Sequence, residues 1–170
     1  MSGIAERYSL RPASRAADFD AARELFLEYA AWLQVDLCFQ GFEQELATLP
    51  GKYAPPDGRL FLACRDGKPI GCVALRRFDA DSGELKRLYV QPDHRGHGVA
   101  RALGAAAIEA ARAIGYHRVV LDTLDRMTAA RALYAAAGFR EIPAYYPNPI
   151  AGAQYMELVL REDGTDKRRG

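Results

Sequence analysis

The chain has 170 residues, 49% of them hydrophobic and 26% charged, with a formal net charge of +1 at pH 7. That length suits a single domain, placed at 1–162 with a flexible polar tail at 163–170, and the composition is that of a globular chain. The balanced charge excludes a general nucleic-acid binder, and no apolar run approaches the roughly 18 to 20 residues of a membrane span.

Residues 1–10 carry Glu6 and Arg7 and lack the apolar core of an export signal. The three cysteines, Cys38, Cys64 and Cys72, are odd in number and spaced for neither a disulfide framework nor a metal site. Cys64 and Cys72 sit in apolar stretches and read as small buried hydrophobes. The expectation is a cytoplasmic protein with no metal, no membrane partner and no nucleic-acid partner.

In chain order, Tyr8 to Pro12 reads as a first strand. Asp18 to Leu33 follows with Phe19, Ala22, Phe26, Ala30 and Leu33 at helical spacing, and Ser14 or Asp18 can cap its start. Phe42 to Leu49 is a second, shorter helix ended by Pro50-Gly51, and Pro55 to Gly58 is a turn. Strands then run over Arg59 to Arg65 and Pro69 to Phe78, joined by the hairpin signal Asp66-Gly67. Asp81-Ser82-Gly83 turns the chain into a third strand of this run, Glu84 to Val90. The texture then becomes alanine-rich. Val99 to Ile114 is a helix stopped by Gly115, Arg118 to Asp122 is a buried-type strand, and Thr128 to Ala137 is a helix stopped by Gly138. Phe139 to Ile142 and Gln154 to Leu160 close the chain. Early hairpins imply antiparallel neighbours and the late β-α units parallel ones, so the fold class is α/β of the mixed, α+β kind, with helices on both faces of the sheet.

The stretch from Leu88 to Arg101 carries the chemistry. A strand enters a loop containing Gly96 and Gly98, and the loop enters a helix. The first turn of a helix leaves amide N–H groups unpaired and carries about half a positive charge, which together make an anion site. Arg95 and Arg101 add charge, and the glycines let backbone amides approach a diphosphate. A dinucleotide fingerprint fails because Arg101 stands where a third glycine or alanine belongs. A nucleoside-triphosphate loop fails because no Gly-Lys-Ser/Thr follows. An ordinary strand-to-helix turn is the plainer alternative.

At these residues the sequence resembles the GNAT superfamily of N-acetyltransferases, whose cofactor motif (Arg or Gln, two residues, Gly, one residue, Gly or Ala) is matched by Arg95, Gly98 and Ala100. Leu88-Tyr89-Val90 matches the strand that pairs with the cofactor. Ala130, Leu133-Tyr134 and Gly138-Phe139 match the downstream pattern. The resemblance covers Arg59 to Leu160 well and the first helices more loosely. It departs from the family at Met127, where many members carry an asparagine. What it implies is a mostly antiparallel sheet of six to seven strands, splayed into a V between the fourth and fifth, with acetyl-coenzyme A in the cleft. The cofactor would be held by Leu88, Tyr89 and Val90, by Arg95, Gly96, His97, Gly98, Val99, Ala100 and Arg101, and by Met127.

Acetyl transfer needs a neutral amine, a donor for a developing oxyanion and a proton for the departing thiolate. The resemblance implies Tyr134 as the general acid. It also places Glu84 where some members carry a catalytic glutamate, so Glu84 is the candidate base, with a strand-edge ion pair as its plainer role. Period-two geometry puts Glu84, Lys86, Leu88 and Val90 on one face and Leu85, Arg87 and Tyr89 on the other. Trp32, Phe39, Gln40, Arg76, Lys86, Tyr145 and Tyr146 are the substrate candidates, with a core role as the plainer reading of Trp32 and Phe39. Their cations suit a carboxylate, hence the amine of a small, amino-acid-like metabolite. A protein amine as substrate, and an acyl-coenzyme A binding module without turnover, remain alternatives. A homodimer is compatible with such folds, although no interface pattern is readable.

Overall fold

Seven strands, the central β3 and β4 buried along most of their length, assemble one sheet in the order β1-β2-β3-β4-β5-β7-β6. The computed structural model describes residues 8–161. The chain runs β1 (Tyr8–Pro12), α1 (Ala16–Leu33), a 3₁₀ turn (Cys38–Gln40), α2 (Phe42–Ala47), a second 3₁₀ turn (Gly51–Tyr53), β2 (Arg59–Arg65), β3 (Lys68–Arg77) and β4 (Ser82–Val90). After a third 3₁₀ turn (Pro92–His94) come α3 (Val99–Ile114), β5 (Arg118–Leu124), α4 (Thr128–Ala136), β6 (Arg140–Ile142) and β7 (Ala153–Val159). Every neighbouring pair is antiparallel except β4 and β5. The mixed, mostly antiparallel sheet is as expected, but only the first of the two late β-α units joins parallel neighbours: β7 pairs with β5 along its whole length and so lies between β5 and β6. The expected tail at 163–170 lies outside the described residues.

Two apolar cores flank the sheet. Ala22, Leu25 and Phe26 of α1 pack on Leu62, Cys72 and Tyr89 on one side. Leu103, Ala107 and Ala111 of α3 pack on Val73, Leu75, Leu85 and Leu121 on the other. Cys64 and Cys72 are buried, as read from the sequence. The Asp66-Gly67 hairpin has positive φ at both residues (50° and 75°), the backbone twist that an Asp-Gly pair favours.

Several boundaries moved for local reasons. Helix α1 starts at Ala16, and Asp18 caps it from inside the first turn, accepting the N–H of Ser14 at 2.9 Å and of Arg15 at 3.1 Å. Helix α2 stops at Ala47, where the Thr48 hydroxyl donates to the Gln44 carbonyl at 2.7 Å. Strand β4 starts at Ser82, because Ser82 and Gly83 pair with Arg118 and Val119 of β5. Gly83 is required there by space: a Cβ would lie 2.8 Å from Tyr116 Cδ2 and 3.0 Å from Leu75 Cδ1. Strand β5 runs on to Leu124 because β7 pairs with it along its whole length.

The alternation expected along β4 is wrong beyond Lys86. Cys72 faces Tyr89 and Ala74 faces Lys86, so Val73 opposes two residues, Arg87 and Leu88. This is a β-bulge, and Arg87 takes the left-handed conformation at φ 59°. The extra residue swaps the faces. Glu84 and Lys86 share the α1–α2 face with Arg87 and Tyr89, while Leu85, Leu88 and Val90 share the α3 face. Arg87 is held by two hydrogen bonds to Glu45, at 2.9 and 3.1 Å, and by the Phe42 ring at 5.2 Å.

Candidate active site

Strands β4 and β5 pair only at Ser82–Arg118, Gly83–Val119 and Glu84–Val120, and then diverge. The gap beyond Glu84 is the expected V, and the bulge at Arg87–Leu88 lies on its β4 wall. Two chambers occupy it. The larger, about 330 Å³, is walled by Leu88, Tyr89 and Val90 of β4, the loop and first turn of α3, and α4. The smaller, about 50 Å³, lies toward the 3₁₀ turn at Gln40 and the 143–152 loop. Leu88, Asp122, Met127 and Tyr134 border both.

The large chamber gathers most of the cofactor candidates: Leu88 to Val90, Arg95, Gly96, Gly98 to Arg101, and Met127. His97 is not among its lining residues. Gly96 and Gly98 have φ of 82° and 80°, and an added Cβ would meet nothing within 4 Å at either. Glycine is needed there for backbone conformation, not for room on the protein side. The first intrahelical bond of α3 is donated by Ala102 to Gly98, so the N–H groups of Val99, Ala100 and Arg101 make none. A phosphate group fits that open cradle.

Arg95 acts as a brace. Its Nε donates to the Val90 carbonyl at 2.9 Å, and its guanidinium lies 4.6 Å from the Trp32 ring centre and 5.6 Å from that of Tyr89. The motif arginine thus ties the phosphate loop to β4 and α1. Trp32, a substrate candidate from the sequence, instead lines the large chamber on the cofactor side. Met127 caps the start of α4 and borders both chambers, putting a thioether where an amide was expected of the family.

Tyr134 is 8% exposed, and burial raises its hydroxyl above the ordinary tyrosine value. It therefore stays a proton donor at neutral pH. Glu84 borders neither chamber. It is 1% exposed, with Arg76 Nε at 2.8 Å and Lys86 Nζ at 3.8 Å from Oε1, and the Tyr145 hydroxyl donating to Oε2 at 2.6 Å. Burial alone would raise its pKa. The charges of Lys86 and Arg76 and the Tyr145 hydrogen bond outweigh that and hold it below the usual carboxylate value.

Of the substrate candidates, Gln40 and Lys86 border the small chamber, whereas Arg76 and Tyr145 are committed to Glu84. Tyr146 donates to Asp122 Oδ2, and its main-chain oxygen accepts the Tyr155 hydroxyl at 2.8 Å. The Phe39 side chain lies outside the described residues. Asp122 and Asn148 were not named as site residues. The legible signal was a carboxylate directly after the apolar run Val119-Val120-Leu121 within one strand, where an acid needs a partner or a purpose.

Residues 20–139 match the model of the acetyltransferase (GNAT) family. An uncharacterised N-acetyltransferase of Schizosaccharomyces pombe is 40% identical over 146 residues, 84% of this chain and 89% of that protein. The N-acetylaspartate synthetase of Rattus norvegicus is 38% identical over 120 residues, 69% of this chain but only 39% of that protein. Among solved structures, a GNAT family acetyltransferase from Elizabethkingia anophelis with acetyl-CoA bound superposes with a TM-score of 0.64 at 22% identity, covering 91% of this chain and 99% of that one.

Proposed function

The chain belongs to the GNAT family of acetyltransferases and is an N-acetyltransferase that uses acetyl-coenzyme A; on that premise we propose that it acetylates the amine of a small, amino-acid-like metabolite by direct transfer. The observation that carries this reading is the small chamber of about 50 Å³ opening off the larger cleft, with Lys86 on its wall. Its size and its buried lysine suit a compact anionic head group. The relative named for N-acetylaspartate, an N-acetylated amino acid, supports the same class of substrate.

Bound acetyl-coenzyme A supplies an activated acetyl thioester. The open amides of Val99, Ala100 and Arg101 would hold its phosphates, and the β4 edge at Leu88 to Val90 would hold its arm. Tyr134 borders both chambers and would give its hydroxyl proton to the sulfur as the C–N bond forms and the C–S bond breaks, regaining one through water from the acylated amine, a role that suits a phenol kept protonated by burial. None of the three cysteines borders either chamber, which supports direct transfer over a covalent enzyme intermediate. Glu84, with both oxygens engaged, works at one remove by holding Lys86 and Tyr145 in place.

The test is release of free thiol from acetyl-coenzyme A by the purified chain across a panel of small amines. Turnover of at least one is expected. Tyr134→Phe should lower kcat roughly a hundredfold or more while leaving acetyl-coenzyme A binding intact, as read by thermal unfolding. An unchanged kcat would remove Tyr134 from the mechanism.

A further inference from the structure

The hydrogen-bond donors and acceptors around the small chamber do not balance, and the imbalance describes a ligand. Tyr146 has one hydroxyl proton, and it goes to Asp122 Oδ2. Its oxygen must then be met by donors, which are Asn148 Nδ2 at 3.2 Å and Gln40 Nε2 at 3.4 Å. That settles the orientation of the Gln40 amide, because a flipped amide would set its oxygen against a hydroxyl with no proton left to give. Asn148 is settled likewise: Nδ2 donates to Asp122 Oδ2 at 2.9 Å and Oδ1 accepts the Ile150 N–H at 2.9 Å.

Two acceptors are left over. Gln40 Oε1 is buried and has no partner. Among the described residues, every hydrogen bond to Asp122 falls on Oδ2, which leaves Oδ1 open. One cation is under-partnered as well. Lys86 is 8% exposed, and its nearest carboxylate, Glu84, is 3.8 Å away and already shared with Arg76. Burial, with the neighbouring Arg87 and Arg76 charges, pulls the Lys86 pKa below the ordinary lysine value against the opposing charges of Glu84 and Asp122. A buried cation in that position gains from a second anion.

We infer that the small chamber is a zwitterion site, in which Asp122 Oδ1 and Gln40 Oε1 receive the ammonium of an α-amino acid and Lys86 receives its carboxylate. The site also sets direction. Asp122 borders both chambers, whereas Lys86 and Gln40 border only the small one. Of the three, Asp122 alone reaches the junction, so the amine on its Oδ1 faces the acetyl donor, with which it reacts after losing a proton to water, and the carboxylate on Lys86 stays within the small chamber. Asp122 is in this way a substrate-binding residue that selects an amine next to a carboxylate.

The inference rests on the reading of the chain as a small-amine acetyltransferase, and the experiment separates the two. Initial rates would be measured for the standard α-amino acids, their α-carboxamides and a polyamine, with the wild-type chain, Asp122→Asn and Lys86→Met. Each variant would first be shown to fold and to bind acetyl-coenzyme A by thermal unfolding. The wild type should favour an acid over its own carboxamide by about tenfold or more, and Lys86→Met should erase that ratio. Asp122→Asn should raise KM for acid and carboxamide alike, by about tenfold to a hundredfold, since it removes one charged hydrogen-bond partner. A Lys86→Met enzyme that keeps the ratio, or an Asp122→Asn enzyme with KM within about twofold of wild type, overturns the site. Preference for the polyamine over every amino acid overturns it too, while leaving the small-amine reading intact. If no amine is acetylated, both fall.

Discussion

Glu45→Gln should be among the costliest single substitutions in this chain, and costlier than removing its partner Arg87. The Arg87 side chain is 3% exposed and takes its two hydrogen bonds from Glu45. Neutralising Glu45 leaves a buried guanidinium without a counter-charge, which costs about 3–5 kcal/mol. For a domain of this size that lowers the unfolding midpoint by about 6–20 °C. The reverse cut is milder. After Arg87→Gly, Glu45 keeps its hydrogen bond from the Tyr53 hydroxyl at 2.8 Å and is 15% exposed, so it can recruit water. Glycine also adopts φ 59° freely, which returns about 1–2 kcal/mol of the left-handed strain. Arg87→Gly should therefore cost at least about 2 kcal/mol less than Glu45→Gln, measured by urea and thermal unfolding of both proteins. Glu45→Leu combined with Arg87→Leu should be less damaging than Glu45→Gln, because no charge is stranded. Equal losses from the two single cuts, or a loss under about 1 kcal/mol for Glu45→Gln, would refute the account of what holds the bulge.

Gly83→Ala places a methyl 2.8 Å from the Tyr116 ring, and should destabilise by about 1–3 kcal/mol in chemical denaturation. Trp32→Ala removes the ring 4.6 Å from Arg95, and should weaken acetyl-coenzyme A binding about two- to fivefold by calorimetry with kcat unchanged. Asp18 contributes to stability toward acid, alongside Glu84 and Glu157. The Ser14 N–H, followed by the Arg15 N–H and the Arg11 guanidinium, holds its carboxyl below the usual range against the opposing effect of burial. The folded chain then binds that proton less tightly than the unfolded one, so the contribution is present above about pH 4 and is lost as pH falls through the folded value. Asp18→Asn should flatten that acid limb in a series of melts.

The motif from Arg95 to Ala100, the alanine-rich helices with their glycine stops, and the succession of helices and strands along the chain were legible because each depends on local signals. Glycine punctuation, helical spacing and a strand entering a phosphate turn leave marks over a few residues. Three things were settled only by tertiary contact. The faces of β4 depend on a bulge whose left-handed residue is an arginine, not a glycine, so nothing in the local pattern announced it. What stabilises it is Glu45, 42 positions away. The occupation of Glu84 by Arg76, Lys86 and Tyr145 needed the 143–152 loop brought back over the sheet. The exposure of Asp122 at the mouth of the small chamber needed β4 and β5 to part after Val120. Sequence writes the anion cradle because a helix N-terminus is made by its own backbone. The substrate chamber is made by side chains from four distant segments, and only the folded sheet brings their unmatched donors and acceptors together.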